Sequence, residues 1–407
     1  MKAARITLAT TVFLCLLTVS LLAQESGEAV RFRFSYDPGE QYRIVGTNRQ
    51  EILINGEISG RVEILNRIQS EIVEVEGNSG VIEANYQISE QNEQPEAPFE
   101  LAREYETRFT RDSLGRVRVP ELFVMPQVRD VPRFPEEAIG VGDGWTAPAV
   151  EVHDLRPAYG IEDTLRIPVE VNYRFLRVDR TGETPVPMIS AYYEFDQEIE
   201  RYADVSFQPV RMSGFADQVI YWDVLRGRPL RYNESYRFEL ELSDGETYVF
   251  RGTADGEVIS SQRLDRDALS DEIMEALEGL EIEDTEVRSD ERGVTISVEN
   301  IRFAPDSARL LDSEKEKLQR IGDILLRYPD RDILVTGHTA LAGTEAGRMR
   351  LSQERARSVG EYLLDLGVRK RDEMLYRGVG AREPVATNDT EAGRRKNRRV
   401  EITILEN

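Results

Sequence analysis

The sequence predicts an α+β multidomain protein, with an antiparallel β-rich N-terminal region followed by a C-terminal β/α/β/α/β sandwich. Three observations predict it. Apolar and polar residues alternate from about 28 to 255. The period becomes helical at 268–280. From there to the C-terminus, strand-like and helix-like segments take turns.

Alternation in the first region is clear in Phe32, Phe34 and Tyr36, in Ile82, Ala84, Tyr86 and Ile88, and in Tyr236, Phe238, Leu240 and Leu242. A strand points successive side chains to opposite faces, so such runs make one apolar and one wet face. Turn residues separate them: Asn55-Gly56, Gly77-Asn78-Ser79-Gly80 and Asp244-Gly245. Pro-rich pieces at 126–135 and 185–187 interrupt the pattern, so 24–255 reads as one β-rich domain or as two divided near residue 150. A linker is expected at 256–266, then a second domain over 267–407.

In that domain Leu269, Ile273, Ala276, Leu277 and Leu280 lie at helical spacing. A strand pair follows, turning at 290–293. Strands are expected at 296–303, 332–337, 374–379 and 400–404, and helices at 313–328 and 345–366. This order implies a sheet with helices on one face.

The 407 residues carry 31% charged side chains and a net charge of −23. Residues 294–407 hold 21 basic and 19 acidic groups, a net of +2, so the preceding part carries −25. Such an acidic chain repels polyphosphate, which argues against a nucleic-acid partner. Lys2 and Arg5 precede an apolar run at 7–22 that ends before Ala23-Gln24. Residues 1–23 therefore read as a signal peptide, with an uncleaved anchor as the competing reading. Cys15 is the only cysteine and lies in that run, so the mature chain is expected to lack disulfides and thiol chemistry.

With only His153 and His338 besides, no zinc site and no histidine-based nucleophile is expected. No metal, cofactor or catalytic residue is assigned, and the chain is not read as an enzyme. His153-Asp154 reads as a solvated loop pair. The distinctive constellation is Gly337-His338-Thr339-Ala340 followed by Leu351-Ser352-Gln353-Glu354-Arg355-Ala356. Leu351, Arg355, Val359, Leu363 and Leu366 are spaced 4, 4, 4 and 3. Arg355 is thus expected in a core stripe, where a guanidinium needs an acceptor. That acceptor is either a carbonyl of the loop 339–344 or a ligand. His338 reads either as part of the site or as a hydrogen-bonded residue holding that loop.

The spaced elements Ile301-Arg302-Phe303, Gly337-His338-Thr339, Leu351-Ser352-x-x-Arg355-Ala356, Gly378-x-Gly380-x-x-x-Pro384, Asn388-x-Thr390 and Gly393-Arg394-x-x-Asn397-Arg398-Arg399-Val400-Glu401 resemble the OmpA-like peptidoglycan-binding domain. The resemblance covers roughly 267–407 and implies a β/α/β/α/β fold that binds the peptide stem of peptidoglycan without changing it. It implies binding residues at His338, Thr339, Ala340, Leu351, Ser352, Arg355, Asn397 and Arg398. In the family an aspartate follows Gly-His-Thr and, with the arginine, grips diaminopimelate. Ala340 stands at the aspartate position here, and Arg348 where an asparagine is usual.

The expected function is that of an exported periplasmic or cell-envelope protein, outer-membrane association being an option. It would bind the peptidoglycan stem with recognition altered by Ala340, and another envelope protein could engage the β-rich domain. The alternative is an interaction scaffold whose OmpA-like pocket has lost peptidoglycan binding.

Overall fold

The structure is a computed structural model that describes residues 29–406 except 92–96, 183, 203, 204, 206, 261–263, 283, 300 and 304–306. The signal-peptide reading of 1–23 lies outside the described residues.

The chain forms β1 (Gln41–Ile54), β2 (Glu57–Glu76), β3 (Ser79–Gln91), β4 (Phe99–Asp112), β5 (Val117–Arg118), β6 (Val128–Arg129), β7 (Gly144–Asp154), α1 (Arg156–Tyr159), β8 (Thr164–Asp179), β9 (Val186–Glu198), β10 (Pro209–Asp223), β11 (Arg228–Leu242) and β12 (Thr247–Ser260). Two antiparallel meanders, β1 to β4 and β7 to β12, are joined where β1 pairs with β12 from Tyr42↔Ser260 to Ile54↔Tyr248. Val150 sits inside β7, which pairs with β8 along its whole length.

Period two governs burial. In β8, Ile167, Val169, Val171, Tyr173 and Phe175 are buried, while the residues between them are exposed. Phe32 and Phe34 alternate as expected but join no strand. They insert into an aromatic core, where Phe32 stacks on Phe134 and Phe34 meets Trp222 edge-on. Asn55 and Gly56 have φ of 50° and 85°, the left-handed pair that a tight hairpin between β1 and β2 requires.

Strand β12 runs on to Ser260, five residues past the expected boundary, because it keeps pairing with β1. Much of the 256–266 segment is therefore sheet rather than linker. The C-terminal domain contains α2 (Arg266–Gly279), β13 (Thr285–Asp290), β14 (Gly293–Glu299), α3 (Asp312–Leu325), β15 (Ile333–His338), α4 (Glu345–Asp365), β16 (Met374–Gly380), α5 (Glu391–Asn397) and β17 (Arg399–Leu405). The strand order is β13-β14-β17-β15-β16, with β15 and β16 parallel and the other pairs antiparallel.

One sheet face packs on the helices: Ile296, Val335 and Ile402 meet Leu318, Ile321, Val359 and Leu363. The opposite face is covered by the β-rich domain. Leu334, Leu375 and Leu405 join Leu65, Phe99 and Leu101 in a shared core. The edge strand β16 also pairs in parallel with β4 at Leu375↔Phe99 and Tyr376↔Glu100. Pairing leaves fewer main-chain groups open on that edge.

Candidate functional site

The parallel strands β15 and β16 end side by side, and the residues that carry the family pattern gather there. Helix α4 lies close over both ends because two glycines admit it. A Cβ on Gly337 would stand 2.1 Å from the Ser352 carbonyl oxygen, and one on Gly378 would stand 2.3 Å from the Gln353 nitrogen. Overpacking of a backbone contact costs about 1–3 kcal/mol. Gly337→Ala and Gly378→Ala are each expected to lose that much stability in thermal unfolding. Gly279→Ala, whose Cβ would meet nothing within 4 Å, is expected to stay near wild type.

The loop after β15 is pinned at several points. Thr339 N–H donates to the Gly380 carbonyl at 2.8 Å, and Leu341 N–H donates to Asn388 Oδ1 at 3.0 Å. Asn397 Nδ2 donates to that same Asn388 oxygen at 3.0 Å, while Asn397 Oδ1 accepts from Val385 and Ala386 at 2.9 and 3.0 Å. Ser352 Oγ donates to the Met349 carbonyl at 2.8 Å and accepts from Gly380 N–H at 2.9 Å. Thr344 caps α4 through the Gly347 N–H at 3.1 Å.

The structure sorts the expected site residues into two groups. His338, Thr339, Ala340, Ser352 and Asn397 are buried. Ser352 and Asn397 tie loops together in the bonds just described. Leu351, Arg355 and Arg398 are half-buried, and so is Arg348. The Arg398 guanidinium donates to Glu391 at 2.7 Å, and Arg348 donates to the Gly343 carbonyl at 2.6 Å.

Arg355 is not in the middle of the core stripe as expected. The buried face of α4 is Ser352, Ala356, Val359, Gly360 and Leu363. A four-residue step overshoots one helical turn by about 40°. The line from Leu351 to Leu363 therefore sweeps across the helix, and Arg355 falls at the core's border. Its guanidinium lies 4.8 Å from the Phe303 ring centroid, a cation–π contact that fixes the side chain. The supporting roles of Phe303 and Asn388 were not read from the sequence, although both stood in the matching pattern.

His338 ends β15 and faces β17, with Nε2 3.3 Å from Glu401. The Glu401 carboxylate also accepts from Arg288 at 2.6 Å and Arg399 at 2.8 Å. Burial pushes the Glu401 carboxyl up, but His338 and Arg399 outweigh it and hold it at about 2. Burial pushes His338 below the ordinary imidazole value, against the pull of Glu401. His338 thus belongs to a buried charge cluster under the site. The other histidine, His153, was read as solvated but is half-buried, 2.9 Å from buried Glu151.

Strand ends, a pinned loop and a half-buried arginine on the covering helix thus come together at one end of a mixed sheet. Residues 302–398 match the OmpA family, so the C-terminal third contains an OmpA-like domain. Over 104 residues the chain is 39% identical to the peptidoglycan-binding protein ArfA of Mycobacterium tuberculosis, a match spanning 26% of this chain and 32% of ArfA. It is 32% identical over 137 residues to the probable lipoprotein YiaD of Escherichia coli, spanning 31% of this chain and 62% of that protein. Among solved structures, an outer membrane protein of Borrelia burgdorferi is 36% identical, with 30% of this chain and 96% of that one covered and a TM-score of 0.25. The chain spans about a third of ArfA's length, and these matches leave the β-rich domain unassigned.

Proposed function

We propose that the C-terminal domain holds peptidoglycan non-covalently at the cell envelope, with Arg355 taking a carboxylate of the peptide stem. The observation that carries this reading is the half-buried Arg355, held over Phe303 within Leu351-Ser352-x-x-Arg355-Ala356 in a domain of the OmpA family. A guanidinium takes a carboxylate through two parallel hydrogen bonds. The ArfA relative is a peptidoglycan-binding protein by name, which supports the reading. No bond of the wall is broken in it.

Recognition is altered by Ala340. The far end of diaminopimelate presents an ammonium beside its carboxylate, and a buried methyl group offers no countercharge. Glu345 on the covering helix is engaged by Arg382 at 2.7 Å. A charge-assisted hydrogen bond contributes about 1.5–3 kcal/mol, so wild-type binding is weaker by roughly ten- to a hundredfold than with an aspartate. Ala340 also favours the second reading, a scaffold whose pocket no longer binds wall.

Calorimetry with diaminopimelate-containing stem peptide separates the two, alongside sedimentation with sacculi. Weak wild-type binding, strengthened in Ala340→Asp and abolished in Arg355→Ala, is expected. Tight wild-type binding that survives Arg355→Ala would sink the proposed site, and no binding by either wild type or Ala340→Asp would favour the scaffold.

A further inference from the structure

Between the domains lies a polar cleft of about 1300 Å³. Its floor is one face of β2, β3 and β4. The strand register sets the floor in rungs: Arg67 opposite Gln87 opposite Glu104, then Gln69, Asn85 and Glu106, then Glu71, Glu83 and Arg108. The facing wall is the β13–β14 turn with Arg292 and the C-terminal pair Leu405-Glu406.

Most of the charges here cancel in pairs. Glu104 accepts from Arg377 at 3.2 Å and from Arg292 at 3.3 Å, Arg108 pairs with Glu83 at 2.6 Å, and Arg67 pairs with Asp332 at 2.6 Å. What remains is a dense set of directional donors and acceptors. Gln87 donates to Glu104 at 3.1 Å and Gln41 to Glu71 at 2.8 Å, which orients both amides. Four buried polar atoms of residues bordering the cleft lack a hydrogen-bond partner among the described residues: Oε1 of Gln41, Nη1 of Arg67, Oδ1 of Asn85 and Oε2 of Glu406. All four are sealed from the cleft as they are from bulk water, so it is the accessible Gln69, Gln87, Glu83 and Glu106 of the floor that meet a guest, and they suit one that can both donate and accept. Phe123 adds one aromatic surface to the lining.

We propose that this cleft binds a neutral, hydroxyl-rich glycan chain. Hydroxyl groups donate and accept at once, which suits alternating amides, carboxylates and guanidiniums. An anionic guest would meet the surplus of carboxylates in the lining. An apolar guest would strand the polar floor. The volume exceeds the roughly 300–1,000 Å³ of a small-molecule pocket, so several sugar units in a row fit better than one. The site is separate from Arg355 and stands or falls independently of stem binding.

The test is calorimetry on the full chain with two neutral probes, chitohexaose for N-acetylated units and maltohexaose for plain hydroxyls. Binding of at least one is expected. The Asn85→Ala/Gln87→Ala double variant and, separately, Phe123→Ala should each weaken it tenfold or more with thermal unfolding unchanged. Arg355→Ala should leave it intact. A preference between the probes identifies the sugar type. If neither probe binds, if binding survives both cleft changes, or if it is lost in Arg355→Ala, the assignment is overturned. Stem-peptide binding, measured in the same variants, reports the other site and should not follow the cleft changes.

Discussion

Asp332→Ala is expected to lower the unfolding free energy by about 3–5 kcal/mol, the usual cost of removing one partner from a buried ion pair. Asp332 lies just before β15, in the C-terminal domain. Its Oδ2 accepts from Arg67 Nε at 2.6 Å and from Arg43 Nη1 at 3.1 Å, both on the β-rich domain. Arg67 and Asp332 are only 4% and 5% exposed, so solvent does little to compensate the loss. Arg67 also donates to the Asp372 carbonyl, so a second bond crosses the same boundary. Two guanidiniums would remain near one another without their carboxylate. The double change Arg67→Leu/Asp332→Leu removes the more buried of the two stranded guanidiniums and leaves Arg43, so part of the lost stability should return. Urea unfolding of the three proteins checks this. A loss below about 1 kcal/mol in Asp332→Ala would show that the pair is not a structural bridge.

This bridge marks where sequence reading stops. Its partners are 265 positions apart, and no periodicity links them. The order of elements predicts helices on one face of the sheet and does not single out Leu334, Leu375 and Leu405, which point to the other face and are covered there. A change of charge balance suggested independent halves, whereas Leu65, Phe99 and Leu101 make the C-terminal sheet share a core with the first domain. By contrast, α3, α4 and β14 to β17 were legible to within a few residues, because their apolar spacing reflects a local one-sided environment. The seven-residue helix α5 was not expected, since Glu391–Asn397 carries no apolar stripe at helical spacing. At the site, the pattern marked Arg355, yet its position at the core border needed the real helical rotation. Strand β12 passed its expected end for a similar reason: Asp255-Gly256 reads as a turn locally, but the partner β1 continues alongside.

The second large effect is expected in acid. A carboxyl held near 2 in the folded chain, against an ordinary value near 4.3, binds fewer protons than it does unfolded. Its contribution is therefore fully present above the unfolded value and disappears as pH falls through the folded one. Integrated over that window, Glu401 supplies about 3 kcal/mol, lost between roughly pH 5 and pH 2. His338 acts in the same direction. Burial lowers its folded value, so stability begins to decline once pH falls below about 6.5, where the unfolded imidazole takes up a proton. Urea unfolding at a series of pH values should show this two-part decline in the wild type. In Glu401→Gln the acid part should flatten, on top of a loss already present at neutral pH, because buried Arg399 keeps its charge without its 2.8 Å partner. An unchanged slope below pH 5 in that variant would assign the acid sensitivity to other carboxylates. Because His338 leads directly into Thr339 and Ala340, protonating this cluster should also loosen the loop that the stem-binding proposal depends on. Any measured stem affinity is then expected to fall along the same acid limb, and to lose that limb in Glu401→Gln.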